Sequence, residues 1–352
     1  MLEQRFDLPD PYARVDGHAH VVREPIWGLV TPLLPLERRL VRSPLLRRLH
    51  FVAHGGVAAL SSGYVHTRLQ HVLGVFALTA RFAPNDRHAR VAALLHDVGH
   101  PPFSHALEAL PGVDHHRWTA EQVLDGEVAE ALRADDLDPQ RVLDLAEGRV
   151  RSVLKNQDGV LHLDHLDSLV RSAWMRGTLC YPAAKLLGRL TCDVDRIAFS
   201  PEAAEMTKRL ILEEAYLHGE ATDIAPAAVL SGLVAQLIAD GQVPLDSLPH
   251  LTDAELIAQL HAHPATGEEA RRLWTSPWRL RLARLGDREA PPRGARLALK
   301  DRLYLDPPHV HGWSEGERDA CRAELEASTA GLTGRFAVAW DDEGFGAGFG
   351  AA

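Results

Sequence analysis

Nine of the chain's 20 histidines (His54, His66, His71, His88, His96, His100, His105, His115 and His116) fall between residues 54 and 116. Imidazole is the commonest metal ligand and the usual proton carrier near neutral pH, so this stretch is where chemistry is expected. Its motifs are HTRLQH at 66–71, HDVGHPPFSHALE at 96–108 and DHHRWT at 114–119, followed by HLDHLDSLVRS at 162–172. Adjacent His96 and Asp97 can reach one ion only from a helix end, where the backbone turns enough for both to converge. Gly99, Pro101 and Pro102 supply that ending. With His71 inside the preceding helix and Asp164 near the start of a later one, two neutral imidazoles and two carboxylates could form one mixed site. Such a sulfur-free set suits a single divalent ion (Mn²⁺, Fe²⁺, Mg²⁺, Ni²⁺ or Zn²⁺, with Mn²⁺ favoured) and argues against copper storage or structural zinc. A lone His-Asp pair is more often a surface contact or a cap. The order H…HD…D, with more histidines downstream, is what points to an ion.

The elements that must position these residues read mostly as helices. RLQHVLGVFALTARFA carries Leu69, Val72, Leu73, Phe76 and Ala80 on one stripe. NDRHARVAALLHDVGH opens on Asn85 or Asp86 as a cap and ends at Gly99. Further helices are expected over about 119–133, 139–154, 162–175, 201–219, 225–240 and 253–262. Runs of alternating β-branched residues are nearly absent, which leaves short hairpins near 55–66 and within 297–312. The expected fold is mainly α: a site-bearing helical domain over 1–220, a smaller and mostly helical lobe over 221–340, and a glycine-rich, disordered tail over 341–352.

Bulk composition narrows the function classes. The 352 residues are 46% apolar and 24% charged, an ordinary globular balance. The formal net charge of −10 disfavours a nucleic-acid partner and requires any phosphate site to be local. Cys180, Cys192 and Cys321 show no paired spacing, which suits a reducing compartment. The N-terminus lacks a basic-then-apolar signal pattern, and no window approaches the ~18 uninterrupted apolar residues of a spanning helix. The expectation is a cytoplasmic protein with no membrane partner.

The motifs resemble those of HD-superfamily metal-dependent phosphohydrolases, whose ligand pattern His71, His96-Asp97 and Asp164 match. The resemblance extends to the deoxynucleoside triphosphate triphosphohydrolase branch over about residues 20–220. REPIWG at 23–28 is similar to its DPIHG element, SPLLRRLHFVAHGG at 43–56 to its next helix and glycine turn, and HTRLQHVLGV to its H-x-R-x-x-H-x-x-G-V element. HDVGHPPFSHALE resembles its H-D-x-G-[HN]-x-P-F-[GS]-H-x-x-[DE] core; RSAWMRG and AYLHGE are weaker echoes. The resemblance implies an HD-domain helical bundle, a phosphate-ester substrate, most often a nucleotide, and a homo-oligomer.

Within that frame, His100 and His105 would face the substrate phosphate. Glu108, three residues past His105, would share its helix face and help it pass a proton. His115 matches the family's downstream histidine, whose usual glutamate is here His116, or Glu121 in another register. Arg68 is placed to reach phosphate. Asp164, Asp167 and Arg171 share one face; Asp167 could orient a ligand histidine, and Arg171 could hold phosphate or brace the aspartates. Tyr216 and His218 are retained as candidate substrate contacts.

Several positions depart from the family pattern. The Gln-Leu pair that packs on the sugar in one subgroup is Ala53-His54 here. That subgroup's lysine, tyrosine and second aspartate fall at His165, Ser168 and Ser172. Glu213, Glu214 and Glu220 stand where it carries basic residues for a triphosphate tail, so they would repel one. The leading expectation is hydrolysis of deoxynucleoside triphosphates to nucleoside and triphosphate. Nucleoside 5'-monophosphates or other small phosphate mono- or diesters come next, and an inactive metal-bearing nucleotide sensor or scaffold is the third reading.

Overall fold

The computed structural model describes residues 15–16, 20–61 and 65–341, and with 54% helix against 12% strand the fold is mainly α, as expected. Three helices carry the H…HD…D residues. Arg68–Phe82 starts at Thr67, whose hydroxyl accepts from Gln70 N while the Gln70 side chain accepts from Thr67 N, a reciprocal cap. Arg87–Leu95 starts at Asp86, which accepts from Ala89 N, and stops at His96. Leu163–Arg176 is capped by His162 and ends at Gly177 in the left-handed region. The first two pack together, and Leu163–Arg176 lies against Arg68–Phe82, with Leu69, Val72, Val75 and Phe76 in a core shared with Val91, Ala92 and Leu95.

Two glycines set how closely these elements approach. A Cβ on Gly74 would overlap the Asp167 carboxylate and the Arg171 guanidinium, and one on Gly99 would overlap the backbone at His115 and Thr119. The glycine three residues past His71 therefore makes room for a buried ion pair. That at 99 seats the helix His115–Leu124 beneath the metal residues.

Strands Val15–Asp16, Val21–Glu24 and Leu29–Pro32 form an antiparallel meander whose turn carries Glu24 and Trp27 into the interior, both buried. A hairpin, Leu190–Asp193 with Arg196–Phe199, lies further along. Neither was evident from the sequence, because strands of four residues offer too little alternation to read. The hairpin expected near 55–66 is instead the short helix Ala58–Ser61 and an isolated bridge, Ala53–Thr67. The second expected hairpin, within 297–312, is also replaced. Arg296–Lys300 pairs with the distant Gly334–Trp340, which also pairs with Leu280–Leu285, so the partner strand is supplied by long-range pairing. The expected long helix over 139–154 stops at Ala146, and the one over 119–133 is two, His115–Leu124 and Gly126–Arg133.

Beyond residue 220 lie the helices Ala221–Ala239, Asp253–Ala262, Gly267–Thr275 and Glu315–Ser328 with that three-stranded sheet. One apolar cluster joins both sides of the position where a boundary is expected, packing Phe103, Leu107 and Trp118 against Ile224, Val229 and Leu237. Ala221–Ala239 is long and apolar enough to cross a membrane by length and composition. Here it is the central helix of that cluster. Apart from Asp341, the expected tail over 341–352 lies outside the described residues.

Residues 301–309 run without regular structure across the HD-bearing helices. They are fastened by Leu161 N donating to Pro307 O at 3.0 Å and Phe199 N donating to His309 O at 2.8 Å.

Candidate metal centre and proton-transfer cluster

His71, His96, Asp97 and Asp164 converge. His71 Nε2 lies 3.1 Å from Asp164 Oδ1, 3.6 Å from Asp97 Oδ2 and 3.4 Å from His96 Nε2. His96 Nε2 lies 3.4 Å from Asp97 Oδ2 and 3.6 Å from Asp164 Oδ1. Atoms bound about 2.1 Å from one ion are separated by roughly 3.0–3.4 Å along the edges of an octahedron or tetrahedron, so these separations fit a common divalent ion. The helix end does what adjacent His96 and Asp97 require. His96 caps its helix and its Nδ1 donates to Ala93 O at 2.9 Å, which turns Nε2 inward.

The electrostatics also call for a cation. Burial opposes a charged His71, yet hydrogen bonds to Asp164 and Asp167 outweigh it and lift the imidazole to about 9. Asp97 and Asp164 remain well below the usual carboxylate range despite burial, chiefly because of His96, with Arg68 next for Asp97 and the His71 hydrogen bond next for Asp164. Positive charge at this centre is thus favoured, and a divalent ion fits both the donor atoms and the field.

Behind the ring runs a buried chain. Asp167 Oδ2 accepts from His71 Nδ1 at 2.9 Å. Arg171 donates to both Asp167 oxygens at 2.9 Å and to Glu24 Oε1 at 2.8 Å, and Trp27 Nε1 donates to Asp167 Oδ1 at 2.7 Å. Asp167 is wholly buried and Arg171 nearly so, so of the expected roles Asp167 takes that of orienting a ligand histidine and Arg171 that of bracing the aspartate, and neither is left to contact substrate. Arg68 is corrected likewise. It is buried, donating to Asp97 Oδ2 at 2.6 Å and to Ser104 Oγ at 2.9 Å, because its helical register aims it at the adjacent carboxylate.

A second cluster adjoins the first. His100 Nε2 lies 3.4 Å from Asp97 Oδ1, and its ring stacks on His115 with centroids 4.0 Å apart. Its buried Nδ1 has no hydrogen-bond partner among the described residues. Glu108 Oε1 sits 3.0 Å from His105 Nδ1 and in short contact with His115 Nδ1. Although burial opposes it, the two imidazoles hold Glu108 well below the usual carboxylate range. The turn that delivers His105 holds Phe103 and Ser104 at φ 55° and 54°, left-handed values that cost non-glycine residues energy and gather at functional sites. Ser104 Oγ, donating to Ala53 O at 2.6 Å, helps to hold it. The family's downstream glutamate has no counterpart at His116, which pairs with Glu147 at 2.7 Å, or at Glu121, which pairs with exposed Arg117. Glu108 meets His115 instead.

Tyr216 and His218 are not brought to either cluster. Tyr216 donates to Ser328 O at 2.8 Å, and His218 is clasped by Asp223 at 3.2 Å and Glu214 at 3.4 Å. Glu214 also takes Arg176 at 2.7 Å, so one of the three charges expected to repel a triphosphate is already countered.

The structure adds residues to which the sequence assigned no role at the site. Lys155 Nζ is 3.6 Å from Asp164 Oδ2, His165 pairs with Asp306 at 3.0 Å, and Tyr304 packs edge-on against His165 with centroids 5.0 Å apart. His54 packs on His71 with centroids 4.3 Å apart. The histidine cluster could have flagged His54; His165 lies on the helix Leu163–Arg176, and Lys155, Tyr304 and Asp306 come from segments without regular structure.

The family model described as HD domain matches residues 68–172. The uncharacterized protein YwfO of Bacillus subtilis is 30% identical over 195 residues, 50% of this chain and 41% of that one. The deoxynucleoside triphosphate triphosphohydrolase SAMHD1 of Homo sapiens is 32% identical over 123 residues, 29% of this chain and 19% of SAMHD1. The chain thus spans about two fifths of the length of YwfO and about a fifth of that of SAMHD1. Among solved structures, a hypothetical protein from Aquifex aeolicus shares the fold with a TM-score of 0.67 at 19% identity, covering 91% of this chain and 96% of that one. The matched segment runs from the helix of His71 through that of Asp164, so this stretch of the chain carries an HD domain.

Proposed function

We propose that this protein hydrolyses nucleotides with the help of a divalent ion, with deoxynucleoside triphosphates as leading substrates, cut to nucleoside and triphosphate. One observation carries the reading: the convergent His71, His96, Asp97 and Asp164 stand directly beside the His105–Glu108–His115 cluster. When bound, a divalent ion there supplies charge stabilisation for a phosphate ester. The unpartnered Nδ1 of His100 and the ammonium of Lys155 are placed to hold phosphate oxygens. With Nδ1 of His105 and His115 turned to Glu108, Nε2 of either imidazole is left to exchange a proton with the leaving oxygen. The likeness to SAMHD1, and the pairing of Glu214 with Arg176 and His218, support the triphosphate reading. Mn²⁺ as the preferred ion, a homo-oligomer and a cytoplasmic location belong to the same proposal.

A second reading, phosphomonoesterase action on nucleoside monophosphates, is favoured by the commitment of Arg68 and Arg171 to carboxylates, which withholds two cations from a phosphate tail. Product analysis by ion-exchange chromatography separates the readings. Purified protein with Mn²⁺ is incubated with deoxynucleoside tri-, di- and monophosphates beside an Asp97→Ala control. Nucleoside plus intact triphosphate supports the first reading and orthophosphate from monophosphates alone the second. Metal binding without turnover would sink both and leave a nucleotide sensor.

A further inference from the structure

Residues 301–309 form a strap from the C-terminal sheet to the metal-bearing helices. Asp306 bonds His165, the residue after Asp164, and Pro307 O accepts from Leu161 N, three residues before it. Two positions before Asp306, the strap carries Tyr304. Its ring lies 5.0 Å from that of His165 and 6.3 Å from that of His105, so it spans from the helix that carries Asp164 to the proton-transfer cluster. It keeps 40% of its surface exposed, an open aromatic face beside the reacting groups. The Arg302 guanidinium stands 4.9 Å from the ring centroid, which holds the ring in place from one side. Burial raises the phenol's pKa, with Arg302 opposing and Glu108 and Asp164 adding to it. One side chain therefore senses both clusters.

We propose that Tyr304 is a specificity-determining residue: it offers the wall on which the ring-bearing group esterified to the phosphate packs, the nucleoside part of a nucleotide, while Arg302 steadies that wall. This rests on the phosphohydrolase reading and deepens it, since the metal ring and the histidines can recognise only the phosphate end. Stacking of a base on an aromatic side chain is worth about 1–3 kcal/mol, so removing the ring weakens nucleotide binding roughly 5- to 150-fold and leaves a ligand without a nucleoside unaffected.

The test compares wild type, Tyr304→Ala and Tyr304→Phe. KM is measured for a deoxynucleoside triphosphate, and the inhibition constant for inorganic triphosphate as the ring-free probe. The expected result is a rise in KM for Tyr304→Ala within that range, an unchanged constant for inorganic triphosphate, unchanged bound metal, and recovery in Tyr304→Phe. Equal losses for nucleotide and inorganic triphosphate would overturn the proposal, as would a KM indifferent to the ring. A fall in kcat for Tyr304→Phe would do so too, because it would make the hydroxyl a proton carrier. If wild type turns over no phosphate ester, the phosphohydrolase reading falls by itself. Calorimetric titration of the same two ligands into the same three proteins then decides on Tyr304.

Discussion

The metal ring and the rim above it are built on opposite plans. His71, His96, Asp97 and Asp164 come from helices packed into the core or from their ends, and three of them are held by a further buried partner: His71 by Asp167, His96 by Ala93 O and Asp97 by Arg68. Lys155, His165, Tyr304 and Arg302 stand on loops or on the outer edge of a helix and keep part of their surface in solvent. A set of ligands must be in position before the ion arrives, because an ion tolerates little displacement. A rim that meets an organic group can be looser, since apolar and stacking contacts change gradually with distance. The difference suggests that ring substitutions abolish function outright, whereas rim substitutions grade it.

The strongest way to break that contrast is Asp97→Ala. The variant loses a ligand oxygen and leaves the buried Arg68 charge without its carboxylate, so bound metal falls below stoichiometric and turnover drops by more than about 10⁴-fold, beyond the usual loss of an acid–base group. Metal analysis after gel filtration together with product assay checks it; full metal content with retained turnover would refute the assignment of the ring. Glu108→Gln comes next. It removes the charge both imidazoles face while sparing the ring, so kcat is expected to fall about 10²–10⁴-fold with bound metal unchanged. A parallel loss of metal would place Glu108 in the ring's support instead.

Asp167→Asn probes the layer behind the ring. It weakens the acceptor for His71 Nδ1 and leaves Arg171 facing Glu24 alone, so metal affinity is expected to fall about 10–100-fold, read by competition with a chelator. This layer also shows what the sequence could reveal. The ring was legible because adjacent His96 and Asp97 need a helix end, and Gly99, Pro101 and Pro102 announce one. The three-helix frame was legible from apolar periodicity and caps at Thr67 and Asp86. The partners of Arg68 and Arg171 were not, because a helical register places a cation on a face without saying whether a carboxylate or a substrate waits there. Glu24 and Trp27 were visible only as a family-like element, since their contacts to Arg171 and Asp167 cross more than 130 residues. Tyr304 and Asp306 carried no signal: a coil has no period, and its path is set by pairing to Leu161 and Phe199.

The smallest expected effect concerns His218, which belongs to neither region. Burial disfavours its charge, but Asp223 and Glu214 more than offset that and lift it to about 10, against about 6.5 for a free imidazole. A folded state that holds the proton more tightly than the unfolded chain gains stability from it. That gain is fully present below about pH 6.5, declines as pH rises toward 10, and is gone above. With 30% of the side chain in solvent, screening keeps the gain to about 1 kcal/mol. His218→Gln should therefore unfold at lower urea than wild type at pH 6, with the gap between them closing by pH 10. A gap that stays constant with pH would mean that the clasp binds no extra proton, and a gap that widens would reverse the sign of the argument.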